Sequence, residues 1–188
     1  MAQPRSSRTP STQELITRIL ARAGELGSAR HEQYIREILL TVMRLMRDNA
    51  AVGDLKLINA ALKEMRYAFK VFAPYRHVRK VSTFGSARTK ETAAAYKQAR
   101  EFAARICGEG FMLLTGAGGG IMRACQEGSG RERSFGVNIR LPFEQEPNEF
   151  IVRDPKLISF KYFFTRKLIL IKEADAIVLF PGGFGTHD

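Results

Sequence analysis

Three glycine-rich segments, each following a short apolar run, are the residues of this sequence best suited to chemistry. The last, PGGFGT at 181–186, follows the apolar residues AIVLF at 176–180. Its glycines have no Cβ, so their backbone N–H groups can approach a ligand closely. If a helix follows, these amides lie at its positive end, where an anion and above all a phosphate is stabilised. The segment therefore predicts a phosphate site formed by Gly182, Gly183, Gly185 and Thr186.

The two other segments are GSAR at 85–88, after a predicted strand at 80–84, and GAGGG at 116–120, after a predicted strand at 111–115. In open parallel α/β sheets, ligands bind at the carboxyl ends of the strands, so we expect the three segments to meet there. A tight turn would account for one or two of the glycines in GAGGG, but not easily for four. A dinucleotide fingerprint is disfavoured, because Ile121 occupies the position of its third glycine.

From residue 78 onwards, short apolar segments alternate with helical ones. The strands are apolar throughout instead of alternating with polar residues, which is typical of a parallel sheet covered on both faces. The predicted fold class is therefore α/β, with helices on both sides of a parallel sheet. The predicted strands are 80–84, 111–115, 134–139, 150–152 and 176–180, and the predicted helices are 89–106, 121–127 and 159–172.

The preceding part of the chain, residues 11–73, is predicted to be all helical. Ser11 and Glu14 have the spacing of a capping box, a second helix is expected from Ser28 or Ala29 to Asp48, and a third is capped by Asp54 and ended by Pro74. The apolar stripes of these helices are a core or a surface for a partner. We divide the chain into a disordered tail at 1–10, a helical extension at 11–75 and an α/β domain at 76–188.

The composition, 45% hydrophobic and 26% charged over 188 residues, is that of a soluble globular protein. No apolar run approaches the roughly 18–20 residues that cross a bilayer, and the polar N-terminus has no signal-peptide core. We therefore expect no membrane partner. Cys107 and Cys125 are expected to be reduced core residues of a cytoplasmic protein, and the three histidines lie too far apart to indicate a metal site.

The net charge of +11 is unevenly distributed. Residues 1–80 carry 15 Lys and Arg against 7 Asp and Glu, a net +8, whereas residues 81–188 carry a net +3. Such a balance suits nucleotides, nucleic acids or other anions. Because glutamates are interleaved with the basic residues, a solvated basic face is favoured over a nucleic-acid interface.

The PGGFGT segment, preceded by a helix that carries Arg166 and Lys167, resembles the Lonely Guy (LOG) family, long mislabelled as lysine decarboxylases. The family pattern is an Arg-Lys pair on a helix, then PGGxGT followed by two acidic residues. The segments FGSAR at 84–88, TGAGGGIM at 115–122 and GVNIRLPFEQEPN at 136–148 agree with it. The resemblance covers about residues 78–188.

This resemblance implies a Rossmann-like homodimer or larger assembly that hydrolyses the N-glycosidic bond of a nucleoside 5′-monophosphate, without metal or cofactor. Arg166 maps onto the catalytic arginine, and Asp188 onto the first acid, a substrate-binding position. The second, catalytic acid would follow Asp188, so the sequence is expected to be cut inside its active site and the 188-residue chain itself to be inactive. The resemblance and the strand-end placement together assign Gly85, Ser86, Gly118 and Gly119 to the ribose or base.

Three hypotheses about function remain open at this stage. The first is a phosphoribohydrolase, similar to AMP nucleosidase, that acts on AMP or a related nucleotide such as a cytokinin riboside monophosphate. The second is a module of the same fold that binds, senses or carries a nucleotide without cleaving it. The third, suggested by the basic N-terminal part, is a nucleic-acid-binding protein, whose affinity would fall steeply with salt.

Overall fold

The computed structural model of the protein describes residues 10–22, 29–140 and 146–187. The chain forms two compact units, one ending at Lys56 and the other beginning at Leu57. The third helix contributes residues to both.

The first unit contains α1 (Thr12–Arg22), α2 (Ala29–Arg47) and the first turn of α3 (Val52–Phe72). The predicted capping box forms at α1: the Ser11 amide donates to Glu14 Oε2 over 2.6 Å, and the Glu14 amide to Ser11 Oγ over 3.3 Å. The prediction that Asp54 precedes and caps α3 is wrong. The helix begins two residues earlier, and Asp54 accepts the Ala51 amide from within the first turn.

The second unit contains the rest of α3, a short 3-10 helix at Ala73–Tyr75, and the alternating strands and helices. Five strands and four helices are described in it beyond α3. The strands are β1 (Lys80–Phe84), β2 (Met112–Thr115), β3 (Ser134–Ile139), β4 (Leu157–Phe160) and β5 (Ala176–Leu179), and the helices are α4 (Ala94–Gly108), α5 (Ile121–Ser129), α6 (Phe163–Lys172) and α7 (Phe184–His187).

The strands form one sheet in the order β4-β3-β2-β1-β5, and all four neighbouring pairs are parallel. This confirms the predicted α/β, Rossmann-like fold class. β5 differs from expectation in its burial. It lies at the edge of the sheet and pairs only with β1, so in the described structure Ile177 and Leu179 are 50% and 54% exposed instead of covered.

Helices pack on both faces of the sheet. On one face, α4 and α5 bury small residues such as Ala99 and Ala124 against Leu113 of β2. On the other, α3 and α6 pack against β3, where Phe72 stacks on Phe135 with ring centroids 4.4 Å apart. α3 thus contributes to the core of the second unit, although it was assigned to a separate extension. The domain boundary after residue 75 remains a prediction.

Three predicted elements around the loops are corrected by the structure. Thr89 does not cap α4, which begins only at Ala94. In the loop before it, Ser86 Oγ accepts the Arg88 amide, and the Ser86 backbone is hydrogen-bonded to Pro181 and Ile121. Residues 150–152 form a turn and not a strand, because the Asn148 carbonyl accepts the amides of Ile151 and Val152. The fourth strand is instead β4, which includes Ser159, so that α6 begins only at Phe163.

Cys107 and Cys125 are both buried free thiols, as predicted. Burial raises the pKa of Cys125 to about 11. In the described ranges, no helix is long and apolar enough to cross a bilayer.

Candidate functional site at the carboxyl ends of the strands

The three glycine-rich segments meet at the carboxyl edge of the sheet, where the parallel pairing of β1 with β2 and β5 brings their ends together. Backbone hydrogen bonds join the segments. The Ser86 amide donates to the Pro181 carbonyl over 3.1 Å, and the Ser86 carbonyl accepts the Ile121 amide over 3.0 Å. The segment after β1 therefore lies between the other two and fixes their separation.

The segments border a cavity of ≈ 620 Å³. Of the residues assigned to the site by sequence, Gly85, Ser86, Arg166, Gly183, Gly185 and Thr186 line it. Gly182, Gly118 and Gly119 are not among its lining residues, and Asp188 lies outside the described residues. The binding and catalytic roles assigned to all these residues remain predictions.

Arg166 reaches the strand ends from the first turn of α6. Its Nε donates to the Val137 carbonyl of β3 over 2.8 Å, and its Nη2 lies 3.5 Å from the Gly116 carbonyl. A Cβ on Gly116 would overlap Nη2, so this glycine is needed for the close approach of the guanidinium. Arg166 is thus held at the carboxyl edge of the sheet and is half-buried, unlike an arginine on a solvated helix face.

Gly120 closes the second segment and begins α5. Its φ of 58° is in the left-handed region, and a Cβ on it would overlap the Ser86 carbonyl oxygen. Glycine is therefore required by both the backbone conformation and the contact between the two segments.

The last segment is more open. A helical turn, α7, begins at Phe184, and the Thr186 amide donates to the Gly183 carbonyl over 2.9 Å. Thr186 is buried beside Gly182, whereas a Cβ on Gly183 or Gly185 would meet no described atom within 4 Å.

The sequence profile described as the SLOG cluster4 family matches residues 78–188, more than half of the chain. The chain belongs to the SLOG cluster4 family. The resemblance to the LOG family is thereby confirmed at the level of this LOG-like family, over the residues from which it was inferred. Among curated protein sequences, no match was found.

Similar solved structures include an X-ray structure of a protein designated TM1055, with 22% sequence identity and a TM-score of 0.45. The alignment covers 58% of this chain and 65% of that one. Another is the Moco carrier protein from Chlamydomonas reinhardtii, with 21% identity, a TM-score of 0.45 and coverage of 58% of this chain and 66% of that one. The SLOG chain described here thus spans less than two thirds of the length of either.

The second glycine segment of this SLOG chain is supported from outside the cavity by Asn148. Its buried side-chain amide donates to the carbonyls of Ala117 and Gly118 over 3.1 and 2.9 Å and to Gln126 Oε1 over 2.6 Å. Ala117 has a φ of 63°, which is uncommon for a residue with a Cβ. The Asn148 contacts stabilise this turn. Because the Gly118 carbonyl accepts a hydrogen bond from Asn148, Gly118 packs against that side chain instead of lining the cavity.

The charge of the cavity is positive. Among its described lining residues, the ionisable ones are Arg88, Arg166 and Lys167, so the cavity suits an anion.

Outside the cavity lining, Arg123 forms ion pairs of 2.6 Å with both Glu91 and Glu149 and donates to the Tyr96 hydroxyl over 2.7 Å. Hydrogen bonds from Arg123 hold the pKa of Glu149 below its usual value.

Sequence reasoning did not select several lining residues. Phe163 could have been found from its position one helical turn before Arg166, and Met122 from its place just after GAGGG. Arg88 stands in the quoted FGSAR segment but was given no role. Thr83, Phe84 and Leu170 carry no signal of this kind, because they read as ordinary strand and helix residues.

Proposed function

We propose that this chain is the nucleotide-binding and catalytic part of a nucleoside 5′-monophosphate phosphoribohydrolase that releases free base and ribose 5-phosphate. The observation that carries the proposal is the convergence of three glycine segments and Arg166 on one cationic cavity at the carboxyl edge of a parallel sheet. AMP or a related purine nucleotide is the proposed substrate. The buried free thiols Cys107 and Cys125 fit the proposed cytoplasmic location.

In this proposal the phosphate binds at the amides of Gly182, Gly183 and Gly185 and at Thr186, at the start of the α7 turn. The phosphate is remote from the bond that breaks, so its binding energy orients the sugar. The segment after β1 lines the cavity with Gly85 and Ser86, which are proposed to contact the ribose or base. Gly118 and Gly119 contribute to the same subsite in the proposal, although neither lines the cavity in this structure.

Cleavage of the glycosidic bond builds positive, oxocarbenium-like charge on the ribose. A carboxylate can stabilise this charge, or it can activate the water that attacks the ribose. The LOG pattern assigns that carboxylate to the second of the two acids that follow PGGxGT. Arg166 is proposed to orient this carboxylate or the phosphate by bidentate hydrogen bonds. Its position against the Gly116 and Val137 carbonyls supports the role, because the guanidinium is held at the cavity wall.

The test is release of ribose 5-phosphate from AMP, GMP and CMP by the native gene product and by the 188-residue chain. Arg166→Ala is expected to abolish turnover of the native product. Arg105→Ala, which removes an exposed arginine of α4, is the matched control and should leave it unchanged. Full activity after Arg166→Ala would contradict the catalytic role.

A second candidate, a nucleotide-binding or carrier module, is supported by the contacts of Arg166 itself. With Nε and Nη2 directed at backbone carbonyls, the guanidinium also stabilises the junction of the second glycine segment with β3. Such a residue can shape a binding site without taking part in a reaction. Calorimetry that shows AMP binding while no base is released from the native product would favour this candidate.

We also propose that the protein forms a homodimer or larger homo-oligomer through the outward face of α6. This face carries apolar side chains that are about half exposed: Phe163, Phe164, Leu168 and Ile171. Sedimentation velocity on the native product is expected to show a dimer or larger species. Leu168→Glu should shift it toward the monomer, whereas Lys97→Glu on α4 should not.

A further inference from the structure

One inward-facing position of α3 is occupied by a carboxylate. The buried residues Ala61, Ala68 and Phe72 recur at helical spacing along this face. Glu64 lies in the same row, one turn before Ala68, and is half-buried. An acidic side chain in an otherwise apolar row needs a polar partner, because a buried carboxylate is costly unless it is hydrogen-bonded.

The partners of Glu64 lie at the start of α6. Its Oε1 accepts the backbone amide of Lys161 over 2.5 Å, and its Oε2 accepts the hydroxyl of Thr165 over 2.6 Å. Thr165 is fully buried, and the same hydroxyl lies 2.9 Å from the Tyr162 carbonyl. The N-cap residue of α6, Tyr162, makes no side-chain cap hydrogen bond of its own. Glu64 instead holds the residue that precedes this N-cap and the side chain of Thr165, and its negative charge complements the positive end of α6.

The residue after Thr165 is Arg166, whose Nε donates to the Val137 carbonyl. The Arg166 amide donates to the Tyr162 carbonyl over 3.2 Å, so Arg166 belongs to the same first turn that Glu64 holds. α3 is itself fixed to the sheet by the stacking of Phe72 on Phe135. A continuous series of contacts therefore joins the sheet, α3, Glu64 and the turn that carries Arg166.

We propose that Glu64 is a positioning residue for Arg166, acting through Lys161 and Thr165. α3, which lies outside the residues matched by the family profile, is then part of the functional unit. The expected effect of Glu64 on turnover rests on the proposed function. The expected effect of Glu64 on the position of the Arg166 guanidinium is independent of that function.

The experiment compares Glu64→Ala, Glu64→Gln and Thr165→Val with Lys63→Ala, which changes the exposed neighbour on the same helix. The first readout is the NMR resonance of the Arg166 Nε–H group in the 188-residue chain, together with amide exchange at Lys161. We expect Glu64→Ala to shift the Nε–H resonance and to accelerate exchange at Lys161 at least tenfold. Lys63→Ala should change neither, and Glu64→Gln should retain most of the protection, since its Oε1 can still accept the Lys161 amide.

The second readout is AMP hydrolysis by the native gene product. Glu64→Ala is expected to lower kcat about tenfold while KM stays within about threefold, and Glu64→Gln should restore kcat to within about threefold of the unmodified enzyme. The kcat is calculated per folded molecule, with the folded fraction taken from the NMR spectrum, because a purely structural role would lower the folded fraction and leave this corrected kcat unchanged.

Failure of the inference and failure of the proposed function give different results. If the unmodified protein releases no ribose 5-phosphate, the proposed function fails and the NMR readout alone decides the role of Glu64. If the Arg166 Nε–H resonance is unchanged in Glu64→Ala, the inference is overturned whatever the activity. Should Glu64→Ala fail to fold, Thr165→Val removes the hydroxyl that Glu64 Oε2 accepts and provides the comparison, and an unchanged Arg166 Nε–H resonance in that variant overturns the inference.

Discussion

The second and the last glycine segments at the carboxyl edge of the sheet differ in what surrounds their glycines. In GAGGG, a Cβ on Gly116 would overlap the Arg166 guanidinium, and one on Gly120 would overlap the Ser86 carbonyl. In PGGFGT, a Cβ on Gly183 or Gly185 would meet nothing within 4 Å among the described residues. GAGGG is packed against its neighbours at Gly116 and Gly120, whereas PGGFGT is packed at Gly182, where a Cβ would overlap Thr186 Oγ1, and open at Gly183 and Gly185.

The comparison shows that glycine-rich composition alone does not identify a ligand-contacting loop. The glycines at 116 and 120 are explained by contacts within the fold, namely the approach of Arg166 and of the segment after β1. The glycines at 183 and 185 have no such explanation in the described structure. They are therefore the better candidates for direct contact with a phosphate, and Gly120→Ala should mainly affect stability whereas Gly183→Ala should mainly affect binding.

The largest expected effect is on stability, from Gly120→Ala. The change combines a left-handed backbone with overlap of the Ser86 carbonyl, and we expect a loss of about 3–4 kcal/mol in the free energy of unfolding. Gly130→Ala is the matched control, because Gly130 has a φ of 71° but open space around its Cβ position. It should cost about 1–2 kcal/mol. Equal losses in urea unfolding would show that the contact with Ser86 is unimportant.

Gly116→Ala should separate stability from function. The atoms that its Cβ would meet are the far ends of two flexible side chains, Arg166 and Met122, which can move aside. We expect a loss of only about 1 kcal/mol in stability. The displaced guanidinium should nevertheless weaken AMP binding about tenfold, as calorimetry would show, a change of about 1.4 kcal/mol. Unchanged affinity would argue against a role of Arg166 in binding.

Gly183→Ala contrasts with Gly120→Ala, because its effect should fall on binding and not on stability. The Cβ has open space, and the backbone at Gly183 is outside the left-handed region, so the free energy of unfolding should change by less than about 0.5 kcal/mol. If the amides of this segment contact the phosphate closely, the added methyl group should weaken AMP binding about tenfold while leaving adenosine binding unchanged. Equal affinity of Gly183→Ala and the unmodified chain for AMP would contradict the phosphate site.

Much of this architecture could be predicted from the sequence. The ranges predicted for β1 and β3 are those of the structure, because short apolar runs bounded by Gly, Ser and charged residues leave little choice of register. The placement of the three segments at one sheet edge also followed from the sequence, since parallel strands joined by helices bring their carboxyl ends together. Arg166 was selected by resemblance and does line the cavity.

The misses share a physical cause, which is that contacts distant in sequence decided them. Thr89 has the local features of a helix cap, but the hydrogen bonds of Ser86 to Pro181 and Ile121 hold its loop in turns. Residues 150–152 are apolar like a strand, yet Asn148 turns the chain there. The role of Glu64 was not found, because on sequence grounds it is one more charge on an amphipathic helix.

The smallest expected effect is a pH dependence of stability that acts through the contacts supporting GAGGG. Arg123 holds the pKa of Glu149 below its usual value of 4.5, and Glu149 adjoins Asn148, which bonds Ala117 and Gly118. The folded state therefore favours the carboxylate, so this stabilisation is present above pH 4.5 and is lost as the pH falls through the lower folded-state pKa. Because the Glu149 side chain is 58% exposed, solvent screens the pair and we expect only a small loss of stability.

An NMR titration tests whether this pH-dependent loss of stability affects GAGGG and not PGGFGT. The amide resonances of Ala117 and Gly118 should titrate with a midpoint below pH 4.5 in the unmodified chain and should not show this step in Glu149→Gln. The amides of Gly183 and Gly185, which no described contact joins to Arg123 or Glu149, should not follow the same midpoint. A midpoint at or above 4.5 would contradict stabilisation of the carboxylate by Arg123. A common midpoint in both segments would instead show that PGGFGT depends on the same support as GAGGG.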